Sequence, residues 1–586
     1  MLARLWRDEP AAALALVGSI TVLSVLAILD VGIHVGWAAA GGSGYPATNP
    51  FALLGQLASG QLRPPTAVWA ITAGIALVVA AVGAGVWAAT RGGRAATRRG
   101  DRAARLTGRR AETASINRAE VAAKASRLGV DPKTHPGLPI ARAVADGRPL
   151  WASWEDVVVD IWGPRRSKTT ARAIPLILAS PGATVCTSNK PDILLPPLAS
   201  PGSHTDVRLA LAQSKPGSRT WVFDPQTIVG EPQHFWWDPL TFVTDATTAK
   251  TLAEVFVDAT RQTSAGRQGF FESASTQLLA DMLLAAAKWP AAMAARGKDP
   301  RRVPLTRIHQ WLSDETDTEP VEILRDAGCT AVATHLDSVQ GLVHETRSGV
   351  YGGAADVASF LLNETANAWV TPQPGLPEFI PEAFVISTDA LFLFSQEGPG
   401  SAAPVMTALT VAVTEAAVRA ARAAGGRLPV PMTVVLDEAA NVCRWRRLPD
   451  MYSFYGSHGI CVTTLLQNWA QGELAWGREG MRKLWSAANV KVYGGGVDDD
   501  TFLESLSRGI GDHWVTTYSS SSSRQGRSSS WNAEGSQRRI ATVADLRNLP
   551  TGRVWVFASG ATPVLAAPVP WWKGPHADTL TRKDRS

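Results

Sequence analysis

The sequence predicts an α/β fold: a parallel-rich central sheet, interrupted by an all-α insertion and preceded by two transmembrane helices. Three observations predict it. Two uncharged apolar stretches open the chain. A strand, a loop ending in Lys-Thr, a helix and a second strand follow between residues 155 and 188, a βαβ pattern that implies parallel strands. From there short β-branched runs alternate with helical ones, apart from one long strand-free stretch.

The first apolar stretch, Pro10 to Leu29, is "PAAALALVGSITVLSVLAIL". At about 1.5 Å per residue its length spans roughly 30 Å, one hydrocarbon core. The second, Ala67 to Ala89, places Trp69 and Trp87 near its ends as interface anchors. Next comes "RGGRAATRRGDRAARLTGRR" (Arg91 to Arg110), with eight Arg and one Asp, a net +7. The whole chain carries +6, so everything outside this stretch nets −1. The basicity is local and adjoins a membrane segment, which explains it better than DNA does. Positive charge stays cytoplasmic, so the expectation is an inner-membrane protein with two spans and the bulk of the chain inside the cell. The alternative for the first span is a cleaved signal peptide with "GWAAAGG" as its small-residue site. The acidic pair Asp8-Glu9 suits that poorly.

The expected division is therefore an anchor (1–90), a basic juxtamembrane neck (91–149), a nucleotide-binding domain (150–246 and 363–586) and an all-α insertion (247–362). Strands are expected at "EDVVVDIW" (155–162), "ATVCTS" (183–188), "RTWVFDP" (219–225), "ALFLFS" (390–395), "MTVVLDE" (432–438), "GICVTTLLQ" (459–467), "VKVYGGG" (490–496) and "RVWVFASG" (553–560). The Ser-rich stretch 519–537 reads as a low-complexity loop. The four cysteines lie far apart with no C-x-x-C pair, which excludes a disulfide framework and a zinc site. Cys186 and Cys461, in apolar runs, read as buried reduced thiols. His458 and His513 read as surface or loop histidines, and no motif of a metal enzyme or a Ser/His hydrolase is present.

The loop "GPRRSKTT" (Gly163 to Thr170) carries the chemistry. A phosphate loop needs backbone N–H groups converging at a helix N-terminus, a Lys for the β and γ oxygens, and a Ser or Thr hydroxyl for Mg²⁺. Lys168 and Thr169 supply the last two. The motif G-x-x-x-x-G-K-[ST] is not met, because its two Gly positions fall on Trp162 and Ser167. Gly163, Arg165, Arg166, Ser167 and Thr170 complete the candidate loop. Arg165 and Arg166 would add charge near a triphosphate, or serve DNA or a neighbouring subunit; the alternative to a nucleotide site is a plain surface turn. "PMTVVLDEAANV" supplies the second half: an apolar strand ending in Asp437-Glu438, which suits a metal-holding Asp and a water-polarising Glu. Gln467 closes a further strand. The joint pattern, each part on a strand end, is that of a RecA-like P-loop ATPase domain with ATP and Mg²⁺ as cofactors.

In these motifs the chain resembles the coupling ATPases of type IV secretion and conjugative DNA transfer, in an actinobacterial-looking version. The resemblance covers both spans and most of the remaining chain. It rests on "GPRRSKTT", "TSNKPDI", "FDPQ" before "WWDPL", the helical insertion, "VVLDEAANV", "HGICVTTLLQNWAQGELAWG", "NVKVYGGGVDDDTFLESLSRGIGDH" and "ATVADLRNLPTGRVWVFASGATPVL". It implies a membrane-anchored homo-hexamer at a secretion channel, an all-α domain receiving a relaxase–ssDNA cargo, and ATP hydrolysis that drives DNA or protein through the ring. It implies that Lys168 and Thr169 bind ATP and Mg²⁺, that Asp437 and Glu438 serve metal and water, and that Gln467 couples the site to movement. Two departures stand out. Ser167 replaces the Gly before Lys168, and "YGSHGI" lacks the Arg that the family often carries there, leaving Arg444, Arg446, Arg447 or Arg508 as substitutes. Two other readings remain: a degenerate, weakly or non-hydrolysing cargo-docking receptor, and an FtsK-like septal dsDNA translocase.

Overall fold

The structure, a computed structural model, describes residues 10–40, 45–92, 99–196, 203–260, 270–398, 400–523 and 526–583. Asp8-Glu9 and the arginines at 94 and 98 lie outside these. The chain divides into two compact units, Met1–Arg98 and Arg99–Ser586.

In the first unit the two expected spans fall within longer helices, Pro10–Ala40 and Thr66–Gly92. At 31 and 27 residues, and about 1.5 Å per residue, both exceed the roughly 30 Å of a hydrocarbon core. The first runs on past Leu29 through Asp30, whose backbone oxygen lies 2.8 Å from His34 Nδ1 one turn later. Gly32 and Gly36 allow the pair to close: a Cβ at Gly32 would stand 2.6 Å from Thr72 Cγ2, and one at Gly36 2.9 Å from Val68 Cγ1. Small residues four apart do this between membrane helices. Val25, Val31, Val35, Leu77, Val78 and Val79 are exposed, Leu77 to 71%. An outward apolar surface of this kind suits lipid rather than water. Between the helices lies a short third one, Pro50–Ala58, capped by the Asn49 side chain accepting from Phe51 N.

The strands are β1 (Leu138–Ala143), β2 (Pro149–Ala152), β3 (Val158–Ile161), β4 (Thr184–Ser188), β5 (Ser203–Thr205), β6 (Thr220–Phe223), β7 (Ala390–Phe394), β8 (Met432–Asp437), β9 (Ile460–Leu466), β10 (Val490–Tyr493), β11 (Asp512–Ser523), β12 (Gly526–Arg539), β13 (Val554–Ala558), β14 (Val564–Ala567) and β15 (Thr581–Lys583). Eleven form one sheet in the order β2-β1-β14-β13-β10-β3-β9-β8-β4-β7-β6. From β10 to β6 all neighbours run parallel. From β10 back to β2 they run antiparallel. Every residue of β3, β4, β7, β8 and β9 is buried, which is why these strands read as mainly apolar or β-branched runs, with Asp160 in β3 as the interior exception.

Two expectations are corrected. Residues 99–149 are not a neck apart from the soluble unit. They belong to it, because β1 and β2 form the antiparallel edge of its sheet and Asp101 takes a two-pronged ion pair from Arg553 (Nε–Oδ1 2.7 Å, Nη2–Oδ2 2.8 Å). The Ser-rich stretch is not a loop. It lies in a two-stranded ribbon, β11 on β12, registered from Asp512↔Arg539 through Trp514↔Gln537 to Ser521↔Ser530. Backbone pairing alone builds a ribbon, and it leaves no apolar periodicity in the sequence.

Between β6 and β7 the described chain is helical, from Ala246–Thr260 to Pro381–Val385. It includes Phe271–Ala295, which, like Ala403–Ala423 after β7, is long and apolar enough to cross a membrane by length and composition alone. Both are largely buried in the core of the unit. Leu283, Trp311 and Tyr351 of the helical stretch belong to the same buried cluster as Val159, Leu391 and Leu436 of the sheet. The opposite face of the sheet packs Val158, Cys186, Phe392, Val435 and Cys461 on Ile174 and Ile177 of the helix that follows the Lys-Thr loop. Cys186 and Cys461 are free and buried, as expected, and burial pushes both thiols well above their usual range.

Candidate functional site

β9 lies between β3 and β8, so the carboxyl ends of three adjacent parallel strands open on one crevice, the usual ligand position in an open α/β sheet. β3 delivers the Lys-Thr loop, β8 delivers Asp437-Glu438, and β9 delivers Gln467. Trp162 N donates to Leu466 O at 2.9 Å, carrying the β3–β9 ladder one residue into the loop.

The predicted side chains converge there. Lys168 Nζ lies 2.7 Å from Glu438 Oε1 and 3.1 Å from Asp437 Oδ1. Thr169 Oγ1 donates to Asp437 Oδ2 at 3.2 Å. Gln467 Nε2 donates to both oxygens of Glu438, at 2.9 and 2.8 Å. Lys168 is 8% exposed, Asp437 2% and Glu438 6%, so these charges meet out of water. Burial alone would pull the Lys168 ammonium down; Asp437 and Glu438 beside it outweigh that and hold it above its usual value. Thr187 Oγ1 donates to Asp437 O at 3.3 Å and ties β4 to the same corner.

The loop has an unusual backbone. Arg165 (φ +57°) and Ser167 (φ +65°) are left-handed, and so is Glu438 (φ +55°). A residue with a Cβ loses about 1–2 kcal/mol in that region, so neighbouring contacts must hold each one. Gly163 is needed for another reason: a Cβ there would stand 2.1 Å from Gly496 O. The following helix begins as a π turn, Thr169–Ala173, with Ile174 N reaching Thr169 O. Pro175, which has no N–H, sits at the start of the regular helix. Thr170 Oγ1 turns back to Ser167 O at 3.4 Å.

Not every candidate faces the crevice. Arg165 is exposed. The Arg166 guanidinium donates to Thr551 Oγ1 and Leu549 O, far along the chain. Arg444 pairs with Glu397 at 3.2 Å, Arg446 with Asp258 at 3.9 Å, and Arg508 with Glu504 one turn before it at 2.9 Å, while Arg447 is exposed. His458 caps a helix C-terminus with its ring on Phe454, and His513 lies in β11. One buried pair under the loop was not anticipated: Arg172 Nε lies 2.6 Å from Asp160 Oδ2, at 1% and 0% side-chain exposure, and Arg172 also donates to Pro139 O. An Asp inside an apolar strand and an Arg four residues after a Lys were its signals in the sequence.

The donor set fits Mg²⁺. A hydroxyl and a carboxylate, Thr169 and Asp437, are hard oxygen ligands, and the buried Asp437 Oδ1 has the Lys168 ammonium 3.1 Å away, so this oxygen already sits against a positive charge. Among the described residues no group of three or more His, Cys, Asp or Glu gathers as a metal cage. Mg²⁺ at a phosphate site needs only one or two protein oxygens beside those of the phosphates.

Comparison with known proteins adds three findings. Residues 431–551 match the family described as the TraM recognition site of TraD and TraG. No curated protein matches the sequence. Among solved structures, the bacterial conjugative coupling protein TrwBdeltaN70 in its unbound monoclinic form shares the fold, with a TM-score of 0.50 and 16% identity over 73% of this chain and 88% of that one. The plasmid coupling protein TrwB in complex with ADP and Mg²⁺ matches at a TM-score of 0.49 and 14% identity, over 75% and 91%. VirB4 of Thermoanaerobacter pseudethanolicus matches at 0.39 and 13%, over 75% and 98%.

Proposed function

From the premise of a type IV coupling-protein family, which the matched segment and the shared fold support, we propose that the chain is a membrane-anchored, ATP-driven coupling protein. It recruits a relaxase–ssDNA or protein substrate to a type IV secretion channel and pumps it, as a homo-hexamer at the inner membrane. The observation that carries this reading is the meeting of Lys168, Thr169, Asp437, Glu438 and Gln467 on three adjacent strand ends. The two helices of the first unit anchor the chain. The helical stretch 247–362 is the cargo-receiving insertion in a nucleotide-binding domain formed by the sheet.

Each residue then has a task. Backbone N–H groups of Arg165 to Thr170 cradle the phosphates at the helix start. Thr169 and Asp437 hold Mg²⁺. Bound Mg²⁺-ATP supplies the transferable phosphoryl group and the charge that offsets its developing negative oxygens. Lys168 exchanges its contact with Glu438 for the phosphate oxygens. That leaves Glu438 hydrogen-bonded to Gln467, with Oε1 placed to accept a proton from the attacking water. Gln467, on the strand between the loop and the acids, moves with the state of Glu438 and passes it to β9.

A second reading is favoured by Ser167 in place of Gly: a docking receptor that binds nucleotide without turning it over. The deciding experiment is ATP hydrolysis by the full chain in nanodiscs, with and without single-stranded DNA, beside Lys168→Ala. DNA-stimulated turnover that Lys168→Ala abolishes is expected. Nucleotide binding without turnover would select the receptor, and no nucleotide binding would sink both.

A further inference from the structure

We infer that Arg166 is a positioning residue that sets the phosphate loop from the distant C-terminal part of the chain, and is not a ligand of the phosphates. The inference rests on the reading that this loop binds nucleotide, and on three independent contacts. The first is the guanidinium itself. Nη1 donates to Thr551 Oγ1 at 3.0 Å and Nη2 to Leu549 O at 2.5 Å, nearly four hundred residues along the chain. Two donors are thereby committed away from the crevice.

The second is the seat beneath it. After β10 the chain runs Gly494-Gly495-Gly496, and each glycine makes room for one part of the loop strand. A Cβ at Gly494 would stand 2.3 Å from Trp162 Cδ2, one at Gly495 2.2 Å from Arg166 Nη2, and one at Gly496 3.1 Å from Arg166 Nε. Gly163 N donates to Gly495 O at 2.9 Å. The loop is thus held at two points, at Gly163 by its backbone bond to Gly495 and at Arg166 by a side chain that packs on Gly495 and Gly496 and bonds Thr551 and Leu549. The seat is itself fixed: Tyr493 OH donates to Leu546 O at 3.1 Å, and Arg547 Nε lies 2.8 Å from Asp498 Oδ1.

The third is the strain between these pins. Arg166 stands between Arg165 and Ser167, both left-handed. A glycine before Lys168 would adopt that conformation unaided, whereas Ser167 pays steric strain and must be held. Arg166 holds it from one side, and Ala171 N, donating to Ser167 O at 2.9 Å, from the other. The missing glycine of the loop is compensated by an external clamp.

The test compares Arg166→Ala, Thr551→Val, Ser167→Gly and the pair Arg166→Ala/Ser167→Gly in the full chain in nanodiscs. Three quantities are read: hydrogen exchange of the 163–171 amides without nucleotide, affinity for a fluorescent ATP analogue, and the thermal midpoint. Arg166→Ala is expected to speed exchange in that segment and weaken nucleotide about ten-fold, the loss of a charge-assisted hydrogen bond. KM should rise with kcat within about two-fold, as for lost uniform binding. Thr551→Val should act in the same direction, by about three-fold. Ser167→Gly should restore the double variant to within about three-fold of the native chain, because glycine needs no clamp. Failure of Ser167→Gly to rescue, with Thr551→Val silent, would make Arg166 a phosphate ligand and overturn the inference. A fall in thermal midpoint with no local change in exchange would overturn it as well. A native chain that binds no nucleotide would instead sink the proposed function, and the exchange measurements would still decide the clamp.

Discussion

Breaking the buried pair beneath the loop should cost far more than removing it whole. Arg172 and Asp160 meet at 2.6 Å, at 1% and 0% side-chain exposure. Their gross attraction, taking an effective dielectric of 20, is about 6 kcal/mol. Burial costs each ion several kcal/mol, so the pair nets little, while either member left alone costs about 3–5 kcal/mol. Asp160→Leu strands a guanidinium in the core with only Pro139 O to accept from it. Arg172→Met strands a carboxylate in the middle of β3. The double variant strands neither, and its two apolar side chains fill a similar volume. The assay is the thermal midpoint of the full chain by tryptophan fluorescence, with affinity for an ATP analogue read alongside. Because unfolding of a chain with two units is not a single equilibrium, the ordering of midpoints is the robust quantity. Both single variants should fall well below the native chain and the double variant above both of them. Nucleotide affinity should follow the same order, since Arg172 lies on the helix that the loop opens. Single variants that leave the midpoint unchanged would refute the reasoning, as would a double variant no better than the worse single one.

Other outcomes follow from other sites. Glu438→Gln should lower turnover by about 10²- to 10⁴-fold with nucleotide still bound; turnover within about ten-fold of native would remove Glu438 as the base. Gly494→Ala forces a Cβ onto buried Trp162 and should lower the midpoint by the equivalent of about 1–3 kcal/mol. Gly509→Ala, whose Cβ meets nothing nearer than Phe557 Cε1 at 3.9 Å, should be neutral or gain up to about 1 kcal/mol in its helix. Lys215 gives a pH signature. Burial lowers its ammonium from 10.5 to about 8, while Nζ donates to Gly182 O at 2.7 Å. The unfolded chain keeps this proton where the folded chain releases it, so stability from this group rises between pH 8 and 10.5 and is lowest below 8. The shift corresponds to about 3 kcal/mol. The gap between Lys215→Met and the native chain should therefore move in favour of the native chain as pH rises from 7.5 to 9.5. A gap constant with pH would show that the lysine is not desolvated.

What the sequence made legible was whatever is buried and local. β3, β4, β8 and β9 are covered on both faces, so Ile460–Leu466 is apolar or β-branched throughout and Val158–Ile161 is so apart from the paired Asp160, and they were readable as strands. Lys168, Thr169, Asp437, Glu438 and Gln467 each stand at the end of such a strand or on the turn after it. Their convergence followed once the strands were recognised. The antiparallel edge was hidden because "LPIARA" and "PLWA" are short, carry proline and have one wet side; that is why residues 99–149 read as a neck. The ribbon β11–β12 was hidden because serine signals a loop by composition while the backbone pairs regardless. The work of Arg166 was unreadable in principle: nothing near it in the sequence points to Leu549 or Thr551, and a positive charge beside a phosphate loop invites the wrong assignment.

The single buried cluster that joins the helical stretch to the sheet has a mechanical meaning. Leu283, Trp311 and Tyr351 share it with Val159, Leu391 and Leu436, so apolar side chains pack continuously from one to the other. A close-packed interior resists compression and shear, so two parts that share one have no soft hinge between them. The helical stretch therefore works as a stiff lever bolted to the sheet. Under the proposed function, a displacement at the strand ends would reach its far tip as a rigid rotation, and shape change in the proposed assembly would be borne by the seams between copies.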